Sequence, residues 1–477
     1  MGDFKKGRND KRYKMQVLLA IEAAVIILIV IAYFFFTSYL KNKDNEPNKD
    51  SGTKTEQSQG GGDKGDNSDK GNSGNEGDSA TEATPTPDPE KELMDKIDAL
   101  LKESDMLAKG YDYDKAIEKV ESFGEDYTSY EKLTKAVEGY RAEKANLVPL
   151  GAYDSISEIS HIFFHTLAAD TKLTFDGDYD SNGYNYYMTT ISEFNEMMQQ
   201  MYDAGYVLVS IHDVAKKVKK EDGSVVYEAG DIMLPPDKKP FVISQDDVNY
   251  YDYMTGDGFA TRMIIDENGD PKNEMLLEDG TVSVGDYDMV PILDTFIKEH
   301  PDFSYKGARG IIALTGYEGT LGYRTNDETS PTYKADVDTA KNVAKVMKEK
   351  GWEFASHSYG HRDMGKATYN FTTKDTDRWM KEVGSIIGPT DLYIFPFGID
   401  IETTMGHYES DKFKYLKKLG FDYFCGVYKD PWIQVQKDYV RMTRRPLDGQ
   451  AMLQFPERLK DLFDLSKVID PARPALK

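Results

Sequence analysis

Cysteine is almost absent from this sequence of 477 residues, and basic residues are outnumbered by acidic ones. The single cysteine, Cys425, excludes an internal disulfide framework and a zinc site built from cysteines. Its apolar setting, residues 421–427, predicts a buried strand residue that behaves as a small apolar group. Because 59 Lys and Arg stand against 83 Asp and Glu, the formal net charge is -24. With no basic stripe in the folded part to displace phosphate counterions, we expect no nucleic-acid partner.

The first 40 residues have the composition of a membrane anchor. Residues 1–14 carry an excess of Lys and Arg, and the twenty residues from Val17 to Phe36 contain one charge, Glu22. At about 1.5 Å per residue, such a helix spans the hydrocarbon layer of roughly 30 Å. A cleaved signal peptide is the alternative, but the apolar run is long and no small-residue cleavage site follows. We therefore predict a cytoplasmic basic tail at 1–14 and a single-pass anchor at 15–40, with the remaining chain outside the cell membrane.

Large apolar residues are missing from the next segment. Residues 41–90 contain no Val, Ile, Leu, Met, Phe, Tyr, Trp or Cys, so they cannot bury a core and are predicted to be a disordered linker. From 91 to 148 apolar side chains return at helical spacing, with Gly110 ending the first stripe. This pattern predicts a module of three helices, acting as a spacer or as a partner-binding unit.

From residue 152 to about 465, short apolar runs alternate with helical patterns. The predicted strands are 159–164, 207–211, 241–244, 310–314, 353–356 and 392–395, and the predicted helices are 190–204, 334–350, 374–387 and 411–419. This alternation predicts an α/β domain with a parallel sheet, either a barrel or a doubly wound sheet. Polar clusters follow the strands, which in a barrel places them on the catalytic face.

Two of these clusters have the side chains of a metal site. Asp246 and Asp247 follow one strand, and His357 and His361 follow another. Two carboxylates and two imidazoles can hold a divalent metal and leave one carboxylate as a base. A His-x-x-x-His spacing in a helical turn would place both rings on one side.

These segments resemble the motifs of the polysaccharide deacetylases, carbohydrate esterases with a NodB-homology domain. In that family one strand ends in Thr-Phe-Asp-Asp-Gly, a second carries His-(Ser/Thr)-x-x-His, and a third ends in Arg-x-Pro-Tyr. The matching segments here are Ser244-Gln-Asp-Asp-Val248, His357-Ser-Tyr-Gly-His361 and Ile394-Phe-Pro-Phe-Gly398. The resemblance covers roughly residues 155–450.

The resemblance implies a fold and a set of roles. The fold would be a distorted (β/α) barrel, placed here at 152–465. The metal would be held by Asp247, His357 and His361, with Asp246 as general base. The backbone N–H of Phe397, after Pro396, would donate to the oxyanion.

The sequence departs from the family at three positions. Val248 stands where the family has a glycine that accepts positive φ, so the turn must differ. Ile394 stands where an arginine orients the base, and Arg444 or Arg445 could replace it from a late strand. No histidine follows His407, so the family's general acid near the carboxyl end is missing. His165, at the end of an early strand, could face the cleft or be a structural histidine.

Two further segments have weaker patterns. Residues 176–182 resemble a calcium loop, but Ser181 replaces the glycine and Tyr187 the glutamate that such a loop requires. Residues 256–300 contain turn signals and predict an inserted hairpin, which could form one wall of a substrate groove.

The leading hypothesis is a polysaccharide deacetylase, a hydrolase that removes acetyl groups, N-acetyl foremost, from peptidoglycan or another envelope glycan. Zinc is the expected metal, and cobalt, nickel or manganese are compatible with two His and one Asp. The alternative is a catalytically degenerate domain that binds envelope glycan without turnover, because the arginine and the late histidine are missing.

Overall fold

The computed structural model describes residues 88–124, 126–150, 158–178, 180–402, 406–428 and 430–476. The predicted tail at 1–14, the anchor at 15–40 and nearly all of the predicted linker at 41–90 lie outside these ranges. Among the described helices, none has the length and apolar character needed to cross a membrane.

Helices and strands alternate along most of the described chain. The helices are α1 Pro89–Lys109, α2 Tyr113–Glu121, α3 Glu131–Lys144, α4 Thr171–Thr174, α5 Ser181–Tyr187, α6 Ile191–Asp203, α7 Ile211–Val214, α8 Met289–Glu299, α9 Tyr333–Glu349, α10 Tyr369–Trp379, α11 Asp411–Lys418, α12 Gly449–Gln454 and α13 Leu465–Val468. The strands are β1 Val148–Pro149, β2 Ser160–Phe164, β3 Tyr206–Leu208, β4 Ala215–Lys219, β5 Val225–Ala229, β6 Met233–Leu234, β7 Lys239–Gln245, β8 Ala260–Ile265, β9 Pro271–Leu276, β10 Val282–Gly285, β11 Ile311–Leu314, β12 Glu353–Ser356, β13 Leu392–Ile394, β14 Tyr423–Val427, β15 Ile433–Val435 and β16 Val440–Pro446.

Seven parallel strands close into a barrel. They pair in the order β11, β12, β13, β14, β16, β2 and β7, and β7 pairs back to β11. The barrel is distorted at β7, because the first part of this strand pairs with β3 and only its last residues pair with β11. The prediction of an α/β domain with a parallel sheet is confirmed, and closure of the sheet decides for the barrel.

Alternate residues of these strands face two different cores. One set, which includes Val242, Ala313, Ile394, Cys425 and Met442, lies inside the barrel. The intervening residues pack beneath the surrounding helices in a second buried cluster. Cys425 is thus a buried strand residue as predicted, and burial raises the pKa of its thiol to about 12, which leaves it unreactive.

The helical module predicted at 91–148 consists of α1, α2 and α3. Asp88 and Asp112 accept hydrogen bonds from the first turns of α1 and α2, and α1 ends at Gly110. Buried residues of all three helices belong to the same apolar cluster as the barrel interior. The module therefore covers the amino-terminal end of the barrel and shares its core.

Three predicted elements differ from the structure. The strand predicted at 207–211 ends at Leu208, because Ser210 and Asp213 form a capping box that starts α7. The helix predicted at 374–387 begins earlier, at Tyr369, where Thr368 caps it. It continues through a π-helical turn, Met380–Gly384, and a last α-helical segment, Ser385–Ile387, so that it ends as predicted.

The third difference is the insertion predicted as a hairpin at 256–300. It is a three-stranded antiparallel sheet, β8 to β10, followed by α8. Turn signals locate reversals of the chain but do not state how many strands pair between them.

The chain after residue 465 also packs against the barrel. The buried guanidinium of Arg473 pairs with Glu193 at the start of α6 and donates to the carbonyl of Asn185 at 2.9 Å. This contact ties the carboxyl-terminal segment to the chain around α5.

Candidate metal centre and active site

The carboxyl ends of the barrel strands bring most of the predicted site residues together. Asp246 and Asp247 follow β7, His357 follows β12 and Phe397 follows β13, while Arg444 lies within β16. Parallel strands end at the same face of a barrel, so side chains far apart in sequence meet there.

Asp247, His357 and His361 form a group that could hold a metal ion. Their ligand atoms all lie within 4.8 Å of one another, and no other set of three or more His, Cys, Asp and Glu in the described part of the chain does so. His361 Nε2 lies 3.7 Å from Asp247 Oδ2. Two imidazoles and one carboxylate are a ligand set that fits a divalent transition metal.

The two imidazoles are prepared for this role in different ways. His357 Nδ1 donates to the carbonyl of Ile394 at 2.9 Å, which leaves Nε2 as the ligand atom. Burial lowers the pKa of His361, which keeps its ring neutral and able to ligate. Ile394, where the family has an arginine, thus supports the site through its backbone.

The segment from His357 to His361 is not a helical turn, which corrects the geometry predicted for this spacing. Ser358 and His361 have φ of 54° and 48°, so the chain bends irregularly. Asp375 from α10 accepts hydrogen bonds from the N–H groups of Tyr359 and Gly360 at 2.7 and 3.0 Å. These bonds hold the bend, and the two imidazole centroids lie 5.0 Å apart.

Asp247, and not Val248, makes the turn after the aspartate pair. Positive φ falls on Asp247, at 61°, a residue type that tolerates the left-handed region. Val248 is fully buried in the outer core. The β-branched side chain therefore anchors the loop while the aspartate makes the turn.

Arg444 supplies the cation that Ile394 cannot. Its Nη1 and Nη2 donate to the two carboxylate oxygens of Asp246 at 2.7 and 2.9 Å, and both side chains are buried. Burial alone would raise the pKa of Asp246, but Arg444 and then His357 hold it well below its ordinary value. Asp246 is therefore ionised, with His357 Nε2 at 3.8 Å.

Arg445, the other arginine predicted as a replacement, lies elsewhere. It pairs with Asp461 and Ser160, away from Asp246, because neighbouring strand residues point to opposite faces. The sequence alone could have distinguished the two arginines. Val440, Met442 and Arg444 are every second residue of β16, so Arg444 lies on the same side of the strand as two apolar residues that face the barrel interior.

His165 faces the same end of the barrel. Its Nδ1 lies 3.1 Å from the carbonyl of Tyr187, which makes Nδ1 the donor. The imidazole is close enough to Asp246 and Asp448 to lower the pKa of both. Asp448 is buried at the start of α12, and burial nevertheless raises its pKa to about 6. A histidine and a second carboxyl group thus lie near Asp246.

Phe397 lies in the turn Pro396–Gly398, and its φ is 56°. Its ring is 62% exposed, and its centroid lies 4.5 Å from that of His361. The Phe397 side chain therefore lies against His361, one of the three candidate metal ligands.

Some residues around the site carry no motif in the sequence. Tyr251 donates from its hydroxyl to Asp247 Oδ1 at 2.7 Å. Ser244 accepts from Arg444 Nη1 and is bonded to the buried His161. Tyr251 follows the aspartate pair by four residues, and only the fold of the loop turns it back to the carboxylate.

The weak calcium pattern at 176–182 does not form a metal site among the described residues. The carboxylates of Asp176 and Asp178 instead accept hydrogen bonds from backbone N–H groups of the same segment. The acidic residues are used in closing local turns.

Comparison with known proteins agrees with the motifs. Residues 328–424 match the family model described as polysaccharide deacetylase, and this segment includes His357, His361 and Phe397. The resemblance drawn from the motifs is confirmed for residues 328–424, the segment that this family model matches. Among curated proteins, no sequence matches this chain.

Two solved structures are similar to part of this chain. One is the Streptococcus pyogenes deacetylase PplD in complex with acetate, at 13% identity and a TM-score of 0.35, covering 64% of this chain and 98% of that chain. The other is a de-N-acetylase from Aggregatibacter actinomycetemcomitans, at 14% identity and a TM-score of 0.36, covering 64% of this chain and 99% of that chain.

Proposed function

We propose that this protein is a metal-dependent hydrolase that removes acetyl groups, N-acetyl foremost, from an envelope polysaccharide such as peptidoglycan. The observation that carries the proposal is the buried pair of Asp246 and Arg444 directly beside the Asp247, His357 and His361 group. A base fixed in its ionised form next to three converging ligands is the arrangement that amide hydrolysis by water requires.

A bound divalent metal, zinc by preference, would lower the pKa of water and polarise the acetyl carbonyl. Asp246 would accept the proton that the attacking water loses, because Arg444 keeps the carboxylate ionised and oriented. The N–H of Phe397 would donate to the oxygen that becomes negative. Cleavage of the C–N bond then releases acetate, and the amine leaves with a proton.

We assign the return of that proton to His165, in place of the missing late histidine. Its Nδ1 is held by the Tyr187 carbonyl, so Nε2 is the atom that would pass a proton to the amine. The neighbouring carboxyl of Asp448 would stabilise the charged ring. Arg473 donates to the carbonyl of Met188 at 2.9 Å and so helps to hold the chain that positions His165.

The alternative is a degenerate domain that binds glycan without turnover. It rests on two departures from the family: Ile394 stands in place of an arginine, and no histidine follows His407. The Arg444–Asp246 pair and the convergence of Asp247, His357 and His361 support the enzyme over this alternative.

The proposal is tested by acetate release from acetylated glycans with zinc or cobalt present. Asp246→Asn and His357→Ala are expected to lower the rate at least about 100-fold, since one loses the base and the other a ligand. The exposed turn variant Asp279→Asn is the matched control and should keep full activity. Equal release from all four proteins, or release insensitive to chelation, would contradict the proposal.

We also infer that the enzyme works at the cell membrane, tethered by residues 15–40, with the barrel on the outer side. The support is the apolar run from Val17 to Phe36 behind a basic amino terminus. Protease added to intact cells should remove the barrel from the membrane fraction. Recovery of the intact chain in the soluble fraction would contradict this location.

A further inference from the structure

Three tyrosines form a row of near-parallel rings beside the candidate metal centre. The ring centroids of Tyr251 and Tyr253 are 5.8 Å apart at an interplanar angle of 14°, and those of Tyr251 and Tyr317 are 5.0 Å apart at 12°. The central ring, Tyr251, is buried, whereas Tyr253 and Tyr317 are 53% and 38% exposed. We call these three residues the tyrosine platform.

The platform is connected directly to the proposed active site. The Tyr251 hydroxyl lies 2.7 Å from Asp247 Oδ1 and 2.8 Å from the Thr315 hydroxyl. The two exposed rings therefore lie on either side of a residue that contacts a metal ligand. The platform is thus joined to the candidate metal centre through Tyr251 and Asp247.

The two loops that carry the platform are bound to each other. Asn249 donates to the carbonyl of Thr315 at 2.9 Å and accepts from its N–H at 3.0 Å. Arg324 donates to the carbonyls of Tyr250 and Glu318 at 2.8 and 2.7 Å, which joins the loops a second time. Rings held in place before a ligand arrives lose little conformational entropy on binding, which favours recognition by this surface.

The charge around the platform is negative. Asp180, Asp257 and Glu318 lie close enough to act electrostatically on Tyr253. The neighbouring cation, Arg324, is paired with Asp252. A polyanionic glycan would be repelled here, whereas a neutral chain would not be, and a chain bearing free ammonium groups would be attracted.

Resting on the proposed function, we propose that Tyr253 and Tyr317 are subsites for an uncharged, N-acetylated glycan that lies across the platform. The apolar faces of the pyranose rings would pack on the exposed aromatic rings, on both sides of the acetylated unit being hydrolysed. The substrate would then be the interior of a neutral polymer, and the ammonium groups produced by deacetylation would not weaken binding of the chain.

The test is binding of the hexamer of β-1,4-linked N-acetylglucosamine to the Asp246→Asn protein, in which turnover is suppressed, by calorimetry. When introduced into this protein, Tyr253→Ala or Tyr317→Ala is each expected to weaken binding about 10-fold. Tyr253→Phe and Tyr317→Phe should bind as tightly as the parent, because the ring and not the hydroxyl makes the contact. Tyr369→Ala removes a tyrosine of similar exposure at the start of α10 and should leave binding unchanged. A hexamer of galacturonic acid should not bind.

Equal affinity of the alanine variants and their parent would overturn the subsites, as would failure of the parent to bind the N-acetylglucosamine hexamer. Tight binding of the galacturonic acid hexamer would overturn the charge selection. The proposed function is judged separately, by acetate release from the unchanged protein. If the hexamer binds in a way that depends on both tyrosines but no acetate is released, the hydrolase proposal is overturned and the subsite proposal stands. Unfolding midpoints verify that each variant is folded.

Discussion

Arg444 and Asp246 form a buried ion pair, and among the described residues neither group has another charged partner of comparable geometry. Their side chains are 1% and 4% exposed. Such a pair costs desolvation, so its value lies less in stability than in fixing one ionised carboxylate at one place. Both side chains are buried, so loss of one would leave the other unpaired in the interior.

Arg444→Met should affect stability and pH dependence together. Removal of the guanidinium leaves a buried carboxylate unpaired, and the free energy of unfolding should fall by about 3–5 kcal/mol at pH 7. In the unchanged protein the lowered pKa of Asp246 contributes stability above its unfolded value of about 3.9, and this contribution is lost as pH falls through the folded value.

In the variant, burial acts on the Asp246 carboxyl without opposition and raises its pKa. The acid limb of kcat/KM should therefore move to higher pH, as measured by acetate release across a pH series. Arg445→Met, which breaks the pair with Asp461, is the control and should leave the limb in place. If the acid limb of kcat/KM lies at the same pH in Arg444→Met as in the unchanged protein, the role proposed for Arg444 is refuted.

Tyr251 is the residue that fixes the orientation of Asp247. Tyr251→Phe removes one hydrogen bond to that carboxylate and should weaken zinc binding about 10-fold or more. Calorimetric titration of metal-free protein measures the change. Tyr253→Phe removes a neighbouring hydroxyl that does not bond to Asp247, and its zinc affinity should match that of the unchanged protein.

At the scale of elements, the opposite end of the barrel is held by a charged histidine. His212 of α7 bonds through Nδ1 to Glu353 at 2.6 Å and through Nε2 to Asp391 at 3.0 Å. Glu353 begins β12 and Asp391 precedes β13, so one ring links two strands and a helix. Burial opposes the charge, but the hydrogen bonds to Asp391 and Glu353 raise the pKa to about 10.

This link predicts a pH dependence of stability. Because the folded pKa lies above the unfolded value of about 6.5, the contribution is complete below pH 6.5 and is lost as pH rises through about 10. The urea midpoint of the unchanged protein should fall between pH 7 and pH 10 more steeply than that of His212→Gln. The exposed His407→Gln serves as control, and parallel curves for the unchanged protein and His212→Gln would contradict the link.

At the scale of the whole molecule, the helical module is part of the barrel's structure. The Tyr111 hydroxyl donates to the carbonyl of Asp302 at 2.9 Å, and the N–H of Lys306 donates to the carbonyl of Gly110 at 2.7 Å. Buried residues of α1 to α3 complete the apolar cluster that fills the barrel. The module contributes to the core and is therefore more than a spacer.

Deletion of residues 91–148 should expose this apolar surface. We expect a lower unfolding temperature and increased binding of a hydrophobic dye, because buried area is returned to water. Thermal unfolding of the shortened and full chains measures the difference. A shortened protein with the unfolding temperature of the full chain would show that the barrel closes its own core.

The order of strands and helices was predictable because hydrophobic periodicity is a local property. The stretches around β7, β11 and β12 are short apolar runs ending in polar residues, and the polar residues proved to share one face. The insertion after β7 was not predictable to the same degree, since turn signals within 256–300 fit a hairpin as well as the three strands that form.

By itself the sequence determined the alternating α/β pattern, the buried Cys425, and the motif residues Asp246, Asp247, His357 and His361. Each follows from spacing along the chain or from a family pattern. Only the tertiary structure decided that Arg444, and not Arg445, pairs with Asp246, and that Tyr251 turns back to Asp247. Those contacts depend on the order of the strands in the barrel, which places β16 and β7 on opposite sides of β2. They also depend on whether each side chain points into the barrel or away from it.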